Sequence, residues 1–124
     1  MWIFLNDGFF SIVEPPKGTP GDCLLVRSRS KGDIERVFGL NVKVQRTPTR
    51  DYLYRALLDR TQVAVVIANH IAALDYGNFK DSIPDQREFD LYHDACGRVW
   101  ATMMTYQIQR EDPRMNGELS KAHL

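Results

Sequence analysis

Apolar and polar positions recur along this chain with periods that divide it into short strands and three helices. Met1-Trp2-Ile3-Phe4-Leu5 is a continuous apolar run of strand formers, closed by the turn residues Asn6-Asp7-Gly8. Phe9 to Val13 resumes the strand pattern, so Asp7-Gly8 predicts either a hairpin or a bulge in one bent strand. Pro15, Pro16, Gly18, Pro20 and Gly21 then crowd together, and neither a helix nor a central strand survives that. Leu24–Arg29 alternates: Leu24, Val26 and Ser28 share one face, and Leu25, Arg27 and Arg29 the other.

Ser30 is placed to cap a helix over Lys31–Phe38, with Ile34, Val37 and Phe38 as its apolar stripe and Gly39 as its stop. Val42–Thr47 alternates as a strand, Thr47–Arg50 reads as a turn, and Tyr52–Leu58 as the next strand. A second helix is predicted over Gln62–Leu74, capped by Thr61 or Asp59, with Val63, Val66, Ile67, Ile71 and Leu74 at spacings of three and four. The loop Asp75–Lys80 follows. Gln86–Arg110 carries the clearest helical stripe: Phe89, Tyr92, Cys96, Val99, Trp100, Met103 and Gln107. Pro113, Asn116 and Gly117 end it.

This order predicts an α+β domain over residues 1–112, laid out as a permuted ferredoxin-like fold. An N-terminal strand stands in for the usual last one, in an antiparallel sheet of four to five strands with helices on one face and a long C-terminal helix. Residues 113–124 are expected to form a flexible tail.

Composition narrows the function classes without naming one. The chain has 124 residues, enough for one real core. Its 16 basic and 16 acidic residues cancel, which argues against a histone-like or polyanion-mimicking protein. Residues 1–50 hold 8 basic against 5 acidic residues, so a local basic face is permitted. Cys23 and Cys96 have no zinc-site spacing. The apolar opening is too short for a secretory leader, and Val63–Leu74 falls far short of a membrane span. A cytoplasmic protein with reduced thiols is expected, with no membrane association, cofactor or metal.

Several residue sets invite chemistry. Arg27, Arg29, Lys43 and Arg55 fall on predicted strands and form a candidate nucleic-acid face, with Tyr52 and Tyr54 nearby in sequence. Strand parity, however, puts both tyrosines opposite to Arg55, and a solvated face explains the cations as well. His93 with Asp90, Asp94 and Cys96 resembles a base beside a nucleophile, but Cys96 belongs to the apolar stripe. His70, Asp75 and His93 have metal-ligand chemistry without the spacing of a helical pair. The loop residues Asp75, Tyr76, Asn78, Phe79 and Lys80 combine aromatic rings, charge and turn formers, which suits either a partner contact or a connector. Trp100, Met103, Met104 and Tyr106 widen the apolar arc of the last helix, as expected where it meets a second subunit or lies deep in a groove of its own domain. No phosphate loop or nucleophile elbow is present.

The opening Met1–Ser11, the stretch Asp75-Tyr76-Gly77-Asn78-Phe79-Lys80-Asp81-Ser82, Asp51-Tyr52-x-Tyr54-Arg55-Ala56 and Val99-Trp100 together resemble a set of short bacterial proteins that begin with Met-Trp. The resemblance covers residues 1 to about 108 and brings no activity with it. Such proteins are often encoded by bacteria and their mobile elements, which implies a role in modulating a host nucleic-acid-processing complex. The leading expectation is a non-enzymatic interaction or regulatory module, homodimeric or bound to another protein, using Asp75–Lys80, Trp100 and Met104. Nucleic-acid association through Arg27, Arg29, Lys43 and Arg55 stands second, and a small enzyme built on His93 third.

Overall fold

Of the hairpin and the bulge that Asp7-Gly8 admits, the chain forms the hairpin. In the computed structural model, which describes residues 1–114, β1 (Trp2–Leu5) and β2 (Gly8–Val13) pair antiparallel, with Leu5 opposite Gly8. β3 (Cys23–Ser28) returns beside β2 after the proline-rich loop. α1 (Asp33–Phe38), β4 (Gln45–Arg46), β5 (Tyr54–Asp59) and α2 (Arg60–Ala72) follow. The sheet has five antiparallel strands in the order β1-β2-β3-β5-β4, so β5 sits between β3 and β4, and β2 flanks β3. A one-turn α3 (Phe79–Ser82), a 3-10 turn (Arg87–Phe89) and the long α4 (Asp90–Glu111) complete an α+β chain.

Two compact units divide it, Met1–Ser82 and a second that begins at Ile83. In the first, α1 and α2 pack on the same face of the sheet. Leu5, Phe10, Ile12, Val26, Ala56 and Leu58 from the strands meet Ile34, Phe38 and Val63 from the helices in one core. Phe10 packs edge-on against Phe38 with ring centres 5.4 Å apart. Each such side chain contributes about 1.5–3 kcal/mol by leaving water. The second unit consists, among the described residues, of the 3-10 turn and the 22-residue α4, with Ile83 and Cys96 buried. Asp94 and Arg98 pair at 3.0 Å along α4. No helix among the described residues is long and apolar enough to cross a membrane. Of the expected tail, only Pro113 and Arg114 are described, and the remainder lies outside the described residues.

Several local expectations are corrected; α2, for one, begins at Arg60 with Thr61 inside it, and Asp59 makes no side-chain cap. Gly32, at φ 89°, occupies the position before α1, and Ser30 makes no side-chain cap. The strand expected over Val42–Thr47 is only Gln45–Arg46, because Val42 and Val44 pack on the core without pairing to a neighbour strand. β5 begins at Tyr54 rather than at Tyr52. The loop expected over Asp75–Lys80 gives way to α3 at Phe79.

A polar clip ties α1 to the β1-β2 turn. Arg36 donates to Asp7 Oδ2 at 3.0 Å and to Asp33 Oδ1 at 2.9 Å. Desolvation outweighs the attraction of Arg36 and raises the Asp33 carboxyl above its ordinary range. At the far end of the sheet, Arg60 joins Asp22 at 2.8 Å and Glu14 at 2.6 Å, anchoring the start of α2 to the β2-β3 loop.

Candidate nucleic-acid interface

Side chains alternate across a sheet, so the residues between the core positions form a second face, away from α1 and α2. Register assembles one row on it. Trp2 stands opposite Ser11, Ser11 opposite Arg27, Arg27 opposite Arg55, and Arg55 opposite Gln45. Phe4 and Phe9 make a second pair beside it, with ring centres 4.6 Å apart. The row therefore runs from an aromatic edge at β1 to a cationic centre at β3 and β5.

Tyr52 completes the centre, against the parity argument from the sequence. Residues 51–53 precede the strand, so alternation does not govern them. The Thr47 hydroxyl donates to the Tyr52 carbonyl at 2.7 Å, and the Thr47 N–H donates to the Leu53 carbonyl at 2.6 Å. These bonds hold the β4-β5 loop so that the Tyr52 ring lies under two guanidinium groups. The Arg29 guanidinium is 4.1 Å from the ring centre and that of Arg27 is 4.6 Å from it. Phe9 lies 6.5 Å from the same ring, and Trp2 packs edge-on against Phe9 at 5.9 Å. Tyr52 is buried, at 4% exposure.

The cations are held in place, and their charges are poorly compensated. Arg27 donates to the Ser11 hydroxyl at 2.7 Å, while its Nε is buried with no hydrogen-bond partner among the described residues. Arg29 donates to the Asp51 carbonyl at 2.8 Å. Arg55 donates to the Thr47 hydroxyl at 3.1 Å, and its nearest carboxylate oxygen, on Asp51, is 3.9 Å away. Its side chain is only 11% exposed. Desolvation, then repulsion from Arg50 and Arg27, pulls the Arg55 guanidinium below its ordinary proton affinity, and Asp51 offsets only part of this.

Of the four cations expected on this face, Arg27, Arg29 and Arg55 are gathered there. Lys43 is not on a strand, because β4 does not reach it, and it stands exposed in the connection after α1. The sequence reading missed Ser11 and Thr47; their signal was an outward strand parity for Ser11 and a turn position for Thr47.

The remaining candidates fall elsewhere. In the Asp75–Lys80 stretch, Tyr76 and Phe79 contact each other at 6.2 Å, and the Asn78 side chain accepts the Asp81 N–H at 3.2 Å. Asp75 and Tyr76 also line a groove of about 240 Å³ with Ile3, Leu5, Ile67 and Leu74. Trp100 and Met104 are solvent-exposed on α4. His93 is exposed, whereas Cys96 is buried and desolvation pushes its thiol up, which suppresses the thiolate. Among the described residues no three His, Cys, Asp or Glu side chains gather as a metal site, so His70, Asp75 and His93 do not form one. No protein-family model, curated protein or solved structure matches the chain.

Proposed function

We propose that this protein binds nucleic acid through the sheet face away from α1 and α2, holding phosphates on Arg27, Arg29 and Arg55 without carrying out chemistry on them. One observation carries the reading: Arg27 and Arg55 stand directly opposite each other on neighbouring strands. Like charges in that relation destabilise a sheet. Placing them there, in a chain whose net charge is zero, makes sense if an anion meets them. Aromatic rings flanking a cationic row are also the means by which open sheets hold nucleic acid. The strand order supports reading the first unit as a permuted ferredoxin-like domain, and the two free thiols suit a reducing cytoplasm.

The test is fluorescence anisotropy with a labelled mixed-sequence oligonucleotide at about 50 mM salt, where electrostatic binding is strong. Binding that falls steeply with added salt, and that the Arg27→Ala/Arg29→Ala double variant loses while keeping its circular dichroism, is the expected result. A wild-type protein that leaves anisotropy unchanged at low salt overturns the reading.

A second reading rests on α4. Val99 and Met103 are 40% and 54% exposed, and Trp100, Met104, Tyr106 and Ile108 join them in a broad apolar arc. Such an arc suits a contact with a second copy of the chain. Light scattering checks it: a dimer that Met103→Glu converts to monomer supports the contact, and a wild-type monomer at all concentrations removes it.

A further inference from the structure

We infer that the sheet face takes an unpaired strand rather than a duplex, laid across β5, β3, β2 and β1, with phosphates at Arg55, Arg27 and Arg29 and bases on Trp2 and Phe9. The inference rests on the nucleic-acid reading above and specifies its ligand. The row Gln45–Arg55–Arg27–Ser11–Trp2 runs perpendicular to the strands. Its four inter-strand steps of about 4.8 Å span roughly 19 Å. A sheet face of that width accommodates two or three splayed bases.

Polarity along the row sets the roles. The cations are central, and their charge assigns them the backbone: Arg29 is exposed, Arg27 half-buried and the Arg55 side chain 11% exposed. The aromatic end is more accessible: Trp2 is 71% exposed and meets Phe9 edge-on, at 81° between planes. An exposed indole with an open face is a platform for a base. In a duplex every base face is already covered by its neighbours, so Trp2 and Phe9 gain nothing from it, and only the phosphate contacts remain. Ser11, between the cations and the indole, is buried at 1% exposure, and its hydroxyl holds Arg27 from beneath the face.

The experiment compares a labelled oligothymidylate with a hairpin duplex of equal charge, using the full chain and its Trp2→Ala and Trp2→Phe variants. The single strand is expected to bind about tenfold more tightly than the duplex. Trp2→Ala should weaken the single strand about tenfold and leave the duplex unchanged, and Trp2→Phe should restore most of the loss. Equal binding of the two polymers, or a Trp2→Ala variant that keeps its full single-strand affinity, overturns the inference while leaving nucleic-acid binding in place. A wild-type chain that binds neither polymer overturns the nucleic-acid reading itself, and this inference with it.

Discussion

The Arg29 guanidinium lies 4.1 Å from the centre of the Tyr52 ring, closer than Arg27 at 4.6 Å, although Arg29 follows the last residue of β3. Its N–H also reaches the Asp51 carbonyl. One side chain at the end of a strand therefore fastens the loop before β5 by a hydrogen bond and a cation–π contact. Desolvated contacts of the second kind are worth about 2 kcal/mol, and exposed ones about half that or less. The loop and the cations are thus mutually dependent: the ring orders the guanidiniums, and they cover the ring.

Tyr52→Ala should destabilise the first unit by about 3 kcal/mol, the usual cost of removing a buried aromatic ring. It should also weaken oligonucleotide binding, because Arg27 and Arg29 lose the surface that holds them. Tyr52→Phe keeps the ring and should change both quantities far less. Urea unfolding and anisotropy on the same preparations check this; a Tyr52→Ala variant with wild-type stability contradicts the described packing.

Asp33 gives a pH signature. Its carboxyl is raised in the fold by burial, so the folded state holds the proton more tightly than the unfolded state does. The sign follows from linkage: this group costs stability when ionised, and the cost disappears as pH falls through its raised value toward the ordinary 3.8. Asn cannot titrate, so the stability difference between wild type and Asp33→Asn should shift in favour of wild type on acidification. Urea midpoints of both proteins between neutral pH and about pH 4, near the ordinary Asp range, measure the shift. Movement in the opposite direction would show that the ion pair with Arg36 dominates instead.

Much of this fold was legible in the sequence because its cues are local. The helix α4, the hairpin at Asp7-Gly8 and the inward face of Val26 and Ser28 follow from periodicity and turn chemistry, although only Cys96 of the apolar stripe on α4 is buried. The candidate face was only half legible. Arg27 and Arg55 could be placed on strands, but their pairing depends on β5 inserting between β3 and β4, which no local pattern encodes. The side of the sheet taken by Tyr52 was misjudged for a specific reason. Counting parity from residue 52 assumes a strand already begun, whereas Thr47 draws the carbonyls of Tyr52 and Leu53 into the loop. Val42 and Val44 misled in the same way, since alternating burial beside a core does not require a partner strand.

Gly8 is a tight point in the α1 clip. A methyl group there would lie 3.1 Å from both Arg36 Nη2 and Asp33 Oδ2. Arg36 is also pinned by the Asp7 side chain and carbonyl, so it has little room to retreat. Gly8→Ala should therefore cost about 1–3 kcal/mol by overpacking. Thermal unfolding measures the loss. A Gly8→Ala variant as stable as wild type would mean that the clip gives way freely.

Salt dependence separates the two kinds of contact proposed for the sheet face. Each phosphate neutralised on a single strand releases counterions, and the slope of log K against log salt is about −0.7 per contact. With Arg27, Arg29 and Arg55 each meeting one phosphate, the wild-type slope should be about −2. Arg29→Ala removes one contact and should make the slope shallower by about 0.7. Trp2→Ala removes a base platform and no charge, so it should lower affinity at every salt concentration with the slope unchanged. The pair of slopes is more informative than either affinity, since partial unfolding would weaken binding in both variants. Anisotropy titrations at four or more salt concentrations give both slopes. Equal slopes for wild type and Arg29→Ala would place Arg29 outside the phosphate contacts and leave it only its role of holding Tyr52. A slope that changes in Trp2→Ala would mean that the indole positions the cations rather than a base.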